Sequence, residues 1–176
     1  KRQIDPIRRV TTIGMLLALI ISTMMMLAVY CFPHQTLSIL TDEAAVIAEG
    51  TKYLKIFCFS FVLFAVTNIF LASLRSVETV RIGFIVTSIA LTVNVILNYG
   101  LIYGNLGLPE MGVEGAALAT LISRIVEFLI VSVYALRFDK KVKWHIKELL
   151  HIDKQLFRDY IRVGLPLILS NSVWGL

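Results

Sequence analysis

Asn94 and Asn98 stand four residues apart in "NVILNYGLIYGNLGLPEMGVEGAALAT", residues 94–120, and Thr120 closes the stretch. At i and i+4 the two amides share one face of a helix. They lie in a run without charge from Ile82 to Pro109. An amide in such surroundings is costly unless a neighbouring helix or water satisfies it. Asn68 lies well inside a second charge-free run, Ile56 to Leu74, and Thr120, Ser123, Arg124 and Glu127 lie inside a further apolar stretch. Polar groups inside spans face the bundle interior or a wet cavity. Three successive spans contributing Asn68, Asn94, Asn98 and Thr120 suggest one common cavity. The structural alternative for each is a bond to a neighbouring helix, about 0.6 to 2 kcal/mol. Arg124 and Glu127, at i and i+3, can neutralise each other as an intramembrane ion pair; the functional alternative is a proton or ion relay.

Other chemistry finds little support. No GxSxG, Walker loop, HExxH or DxD occurs, so no catalytic residue, cofactor site or metal site is assigned, and the chain is not expected to be an enzyme. "GNLGLPEMG" is glycine-rich but lacks the strand-to-helix context of a phosphate cradle. His34 follows Pro33 at a helix end, and His145 and His151 fall among basic residues. Cys31 and Cys58 have no CxxC partner and are expected to be reduced.

The elements that carry these residues are membrane spans. The chain has 176 residues, of which 57% are hydrophobic and 16% charged, with a mean hydropathy of +0.81. A soluble domain is about half apolar and about a quarter charged. Crossing hydrocarbon takes about 20 apolar residues. Four runs qualify: about 11–32, 56–74, 82–104 and 113–136. A fifth, "YIRVGLPLILSNSVWGL", is cut short. The class is therefore an all-α, polytopic membrane helix bundle with four complete spans and a truncated fifth.

The joints alternate between basic and non-basic. Lys1, Arg2, Arg8 and Arg9 precede the first span; "PHQTLSILTDEAAVIAEG" has no Lys or Arg; "RSVETVR" has Arg75 and Arg81; "NLGLPEMG" has none; and "RFDKKVKWHIKELLHIDKQLFRDY" is rich in both. That pattern puts both ends of the four-span unit on the cytoplasmic side. Lys52 and Lys55 sit near the opposite face and are expected to snorkel. Trp144, Ile146, Leu149, Leu150, Ile152 and Leu156 suggest an amphipathic helix in the last joint. The net charge of +5 reads as topology rather than nucleic-acid binding. Both chain ends have the look of cuts, so a longer protein is expected.

"LNYGLIYGNLGLPEMGVEGAALATLISR" closely resembles the signature joint of the MATE (multidrug and toxic compound extrusion) family. That joint reads roughly N-Y-x-L-I-F/Y-G, a short Gly-Pro stretch, then G-V-x-G-A-A-x-A-T. "NIFLASLRSVETVRIG" resembles the preceding span and inner joint, and "YIRVGLPLILSNSVWGL" the start of the family's second half. The resemblance implies twelve spans in two lobes. Residues 1–137 would be spans three to six of the first lobe, 138–156 the inter-lobe linker, and 157–176 the start of span seven. It also implies antiport, with Na⁺ or H⁺ as coupling ion and a cationic or amphiphilic compound expelled. Partners would be such compounds, the lipid bilayer of the cell membrane and the remainder of the same chain, without nucleic acid.

Some members of the family draw a cation or proton site from a first-span Asp, a fourth-span Asn, an Asn and an Asp in the fifth, and a Thr in the sixth. Asn68, Asn94 and Thr120 match the Asn and Thr positions. Asn98 stands where those members carry Asp, which removes a protonatable group and leaves oxygens able to ligate Na⁺. Glu78-Thr79-Val80 also departs from the Gly-Asp-Thr of many members. Two rival readings are a lipid-linked oligosaccharide flippase of the same superfamily, for which only Arg124 is basic deep in a span, and a non-transporting membrane subunit.

Overall fold

The computed structural model describes residues 4–76 and 80–135, with side-chain surroundings over 11–75 and 81–135. The expected linker helix and fifth span lie outside the described residues. The described chain is all helix: α1 (Ile4–Cys31), α2 (Pro33–Ser38), α3 (Ala44–Phe57), α4 (Ser60–Ser76), α5 (Val80–Tyr103) and α6 (Gly112–Val133). Within α1, α5 and α6, the segments Thr11–Cys31, Arg81–Tyr103 and Gly112–Val133 are each long and apolar enough to cross a bilayer. A fourth crossing is available if α3 and α4, bent by 49° at their junction, act as one broken span.

Each boundary has a local cause. Pro33 disfavours helix at the residue before it, so α1 stops at Cys31 and Phe32 takes φ −127°. Pro33 then opens α2, where its missing N–H costs nothing. The second span differs from the expected uninterrupted run at 56–74. Helix begins at Ala44, within the stretch expected to be a polar joint, because the charges of α3 lie on its solvent-facing side. Lys52 Nζ contacts Glu49 Oε1 at 2.8 Å, and both are half exposed. The α3–α4 break contains no proline. Ser60 Oγ donates to Phe57 O at 2.6 Å, and Phe61 N–H donates to Cys58 O at 3.1 Å. A hydroxyl that takes an i−3 carbonyl displaces the i−4 ladder bond and bends the axis. Cys58, at the bend, is fully buried, and both cysteines are free.

Helix α6 is the hub, packing against α3, α4 and α5, while α1 packs mainly on α4. The α5–α6 hairpin is closed by a glycine cap. Gly104 has φ +67°, and Asn105 N–H bonds Gly100 O at 3.1 Å, which is the reach-back of a left-handed C-terminal cap. Met111 N–H then bonds Leu101 O at 2.8 Å. Gly115 faces the same carbonyl so closely that a Cβ there would lie 2.6 Å from Leu101 O. With Ala119, one turn on and fully buried, this small-residue side of α6 lets backbones approach closely. Outside the bundle, Ile20, Met24, Met25, Phe84, Leu91 and Val95 are all exposed, as membrane spans require.

Candidate functional site

The site is built on the α5–α6 hairpin. Going back along α5 from Leu101 to Asn94 moves the contact on α6 forward, from Gly115 to Thr120 and Ser123, so the two helices run antiparallel. Asn94 thereby meets two hydroxyls one turn apart. Its Nδ2 lies 3.4 Å from Thr120 Oγ1 and 3.3 Å from Ser123 Oγ. Both hydroxyls spend their hydrogens on their own helix: Thr120 donates to Ala116 O at 3.0 Å and Ser123 to Thr120 O at 2.8 Å. They can therefore only accept from Asn94, which fixes the orientation of its amide. Asn94 Oδ1 in turn accepts from Asn98 Nδ2 at 2.9 Å.

This chain of bonds has a direction. Donation runs from Asn98 through Asn94 to the two hydroxyls and on to the Ala116 and Thr120 carbonyls; at the starting end Asn98 Oδ1 is buried and without a partner among the described residues. A buried carbonyl oxygen left unpaired costs about 1–3 kcal/mol. The cluster thus presents an oxygen to whatever comes next: a cation, a water or a donor group.

One turn beyond Thr120, Arg124 Nη1 lies 2.6 Å from Glu127 Oε2; the side chain of Arg124 is 35% exposed and that of Glu127 4%. The guanidinium also sits 4.8 Å above the centre of the Phe64 ring of α4, a cation–π contact. The pair is net neutral, which lowers the cost of holding charge inside an apolar bundle.

Asn68 stands apart from the other three amide and hydroxyl residues. Its Nδ2 donates to Phe64 O, 2.8 Å away on its own helix. It does share the face of α4 that carries Phe64, four residues earlier. The structure therefore brings Asn94, Asn98 and Thr120 into one network and leaves Asn68 one helix away. Ser123 and Phe64 are additions that sequence reasoning did not select. The i+3 spacing of Ser123 from Thr120 was the available signal; nothing marked Phe64 among ten phenylalanines. Glu110 is exposed and Glu114 part-buried near the opposite end of α6. Among the described residues no group of His, Cys, Asp or Glu could hold a metal ion.

Comparisons with known proteins agree with this architecture. The MatE family model matches residues 1–100. A "Probable multidrug resistance protein NorM" of Thermotoga maritima is 32% identical over 134 residues, covering 76% of this chain and 28% of that protein. A "Probable multidrug resistance protein YoeA" of Bacillus subtilis is 34% identical over 114 residues, covering 61% of this chain and 23% of that protein. The chain thus spans roughly a quarter of the length of these curated relatives. Among solved structures, a MATE family transporter of the MOP superfamily matches in its inward-facing conformation with a TM-score of 0.75 at 18% identity, over 92% of this chain and 40% of that one. An outward-facing conformation matches with a TM-score of 0.76 at 18% identity, over 95% and 42%. At that identity the likeness speaks for the fold. The family model and the curated relatives carry the assignment: the chain belongs to the MatE family, multi-pass membrane proteins that are transporters rather than enzymes.

Proposed function

We propose that the full-length protein is a secondary antiporter, exporting cationic or amphiphilic compounds in exchange for inward flow of Na⁺ or H⁺. Residues 1–137 are part of one transport lobe, 138–156 tether it on the cytoplasmic side, and 157–176 open the second lobe. Both ends of the four-span unit lie in the cytoplasm, as the alternation of Lys and Arg among the joints favours. Rocking of the lobes about a fixed mid-membrane site gives alternating access.

One observation carries the reading. In a chain of this family, the hydrogen-bonded run Ser123/Thr120–Asn94–Asn98 ends on an unpartnered buried oxygen, Asn98 Oδ1. That oxygen is free to accept from an ion, a water or a substrate donor. Asn94, Asn98 and Thr120, with Asn68 on the separate helix α4, line the path of the coupling ion or substrate. The test is efflux of an organic cation by the full-length protein in vesicles, with sodium and pH gradients imposed separately. Efflux driven by either gradient supports antiport. Efflux indifferent to both, in vesicles holding well-folded protein, refutes it.

A further inference from the structure

We propose that Arg124 is a specificity-determining residue, whose open guanidinium binds the carboxylate of amphoteric substrates, compounds that carry an anionic group beside the cationic one. The inference rests on the antiport reading above and names a substrate class for the same region of the lobe. Arg124 lies four residues beyond Thr120, and so on the same side of α6 as that hydroxyl.

Its depth in the membrane sets the first constraint. Arg124 stands twelve positions from Gly112 and nine from Val133, the ends of α6, about 18 and 14 Å along the axis. Neither surface is within reach of a snorkelling side chain. The neighbouring helices offer no counter-charge: α4 has none between Ser60 and Leu74, and α5 none between Ile82 and Tyr103. A guanidinium at this depth meets protein or enclosed water, not acyl chains.

Its pairing sets the second. A guanidinium carries five N–H donors in a rigid fork. Among the described residues Arg124 makes one hydrogen bond, from Nη1 to Glu127 Oε2 at 2.6 Å, and the Phe64 ring lies 4.8 Å from its central carbon. The side chain of Glu127 is 4% exposed and that of Arg124 35%. The pair is thus a dipole with its negative end inside the bundle and its positive end open. That end suits a carboxylate, which takes two parallel N–H bonds from the fork.

Two considerations narrow the anion. Lipid phosphates lie at the membrane surfaces, about 14 Å or more away, so a carboxylate at this depth arrives on a transported molecule. Glu127 already balances Arg124, so a simple anion would leave a net negative charge buried, whereas an amphoteric molecule leaves the site neutral. The uncharged amides and hydroxyls of the Asn94 network cannot tell an acid from its ester by charge; Arg124 can.

The experiment compares rhodamine 110, which carries a free carboxylate, with rhodamine 123, its methyl ester. Full-length protein in liposomes exports each dye under sodium and pH gradients imposed separately, and gel filtration establishes folding. Wild type should export both. Arg124→Gln/Glu127→Gln, which leaves no orphan charge, should raise KM for rhodamine 110 by about tenfold or more and shift that for rhodamine 123 by less than about twofold. Arg124→Lys, which keeps the charge and loses the fork, should fall between for rhodamine 110. An unchanged KM for rhodamine 110 in the folded double variant overturns the proposal, and so does an equal loss for both dyes, which marks a structural pair. Should the variants aggregate, phenylglyoxal labelling of Arg124 in the wild-type protein, read by peptide mass spectrometry, decides. Labelling slowed by rhodamine 110 and not by rhodamine 123 supports the proposal; no labelling, no protection or equal protection by both dyes overturns it. Wild-type export of rhodamine 123 alone also overturns it and leaves antiport standing. Wild-type protein whose export of both dyes ignores both gradients defeats the antiport reading itself.

Discussion

Substituting Gly115 with Ala sets two effects of opposite sign against each other, and the structure decides between them. Alanine is the better helix former by about 0.8–1.0 kcal/mol, and Gly115 lies inside α6, so propensity alone favours the variant. The added Cβ, however, would lie 2.6 Å from Leu101 O, 2.8 Å from Leu101 C and 3.0 Å from Leu101 Cβ. The obstacle is backbone of the neighbouring helix, which cannot turn aside as a side chain can. To restore ordinary contact the helices must separate by roughly 0.8 Å, and overpacking of this kind costs about 1–3 kcal/mol. The same separation stretches the bonds from Asn94 to Thr120 and Ser123, already 3.4 and 3.3 Å long, and cross-helix bonds in membranes contribute about 0.6 kcal/mol each. The sum exceeds the propensity gain by about 1–3 kcal/mol. Thermal melting of the full-length protein in detergent, followed by fluorescence-detected gel filtration, measures the outcome: Gly115→Ala should melt lower than wild type and Gly115→Val lower still. Gly83→Ala is the control. Its Cβ meets only Leu71 Cδ2, at 3.6 Å, so it should be neutral or mildly stabilising. A Gly115→Ala protein as stable as Gly83→Ala would refute the close packing of α5 on α6.

Further outcomes follow from the same geometry. Gly104→Ala places a side chain at φ +67° with its Cβ 3.0 Å from Glu110 Cβ; the strained cap should cost about 1–2 kcal/mol in the same melting assay. Ser60→Ala removes the 2.6 Å bond to Phe57 O that holds the α3–α4 bend, and should lower stability by about 1 kcal/mol. Cys58 is fully buried and should resist maleimide in the folded protein, then react on unfolding, as read by peptide mass spectrometry. Phe64→Leu removes the ring beneath Arg124 and should weaken the hold on the guanidinium by about 0.5–2 kcal/mol, seen as lower melting that vanishes when Arg124 is replaced by Gln.

How much was legible in the sequence depended on which physical signal each element carried. Helices α1, α5 and α6 announced themselves as charge-free or nearly charge-free runs, and their ends were marked by Pro33 and Gly104. Helix α3 was hidden because Glu49, Lys52 and Lys55 interrupt its hydropathy, although the charges sit outward and Glu49 pairs with Lys52. The bend at Ser60 had no proline to betray it; a serine hydroxyl that takes its own helix's carbonyl looks like any other serine in sequence. The i,i+4 spacing of Asn94 and Asn98 placed the two amides on one face. Reach between helices is another matter. That Asn94 meets Thr120 and Ser123 depends on the hairpin register set at Gly104 and Gly115, whereas Asn68, equally polar and equally deep in its run, bonds its own helix.

The account turns on whether the Asn94–Asn98 cluster faces a working, water-accessible path. The most direct measurement is gradient-driven ethidium efflux by the full-length protein carrying Asn94→Ala and Asn98→Ala together, in vesicles loaded with protein that elutes as a single folded species. Loss of the gradient-driven component with the fold intact is the expected result. Efflux at the wild-type rate would contradict the account, because the amides would then be helix-to-helix glue and no part of the route.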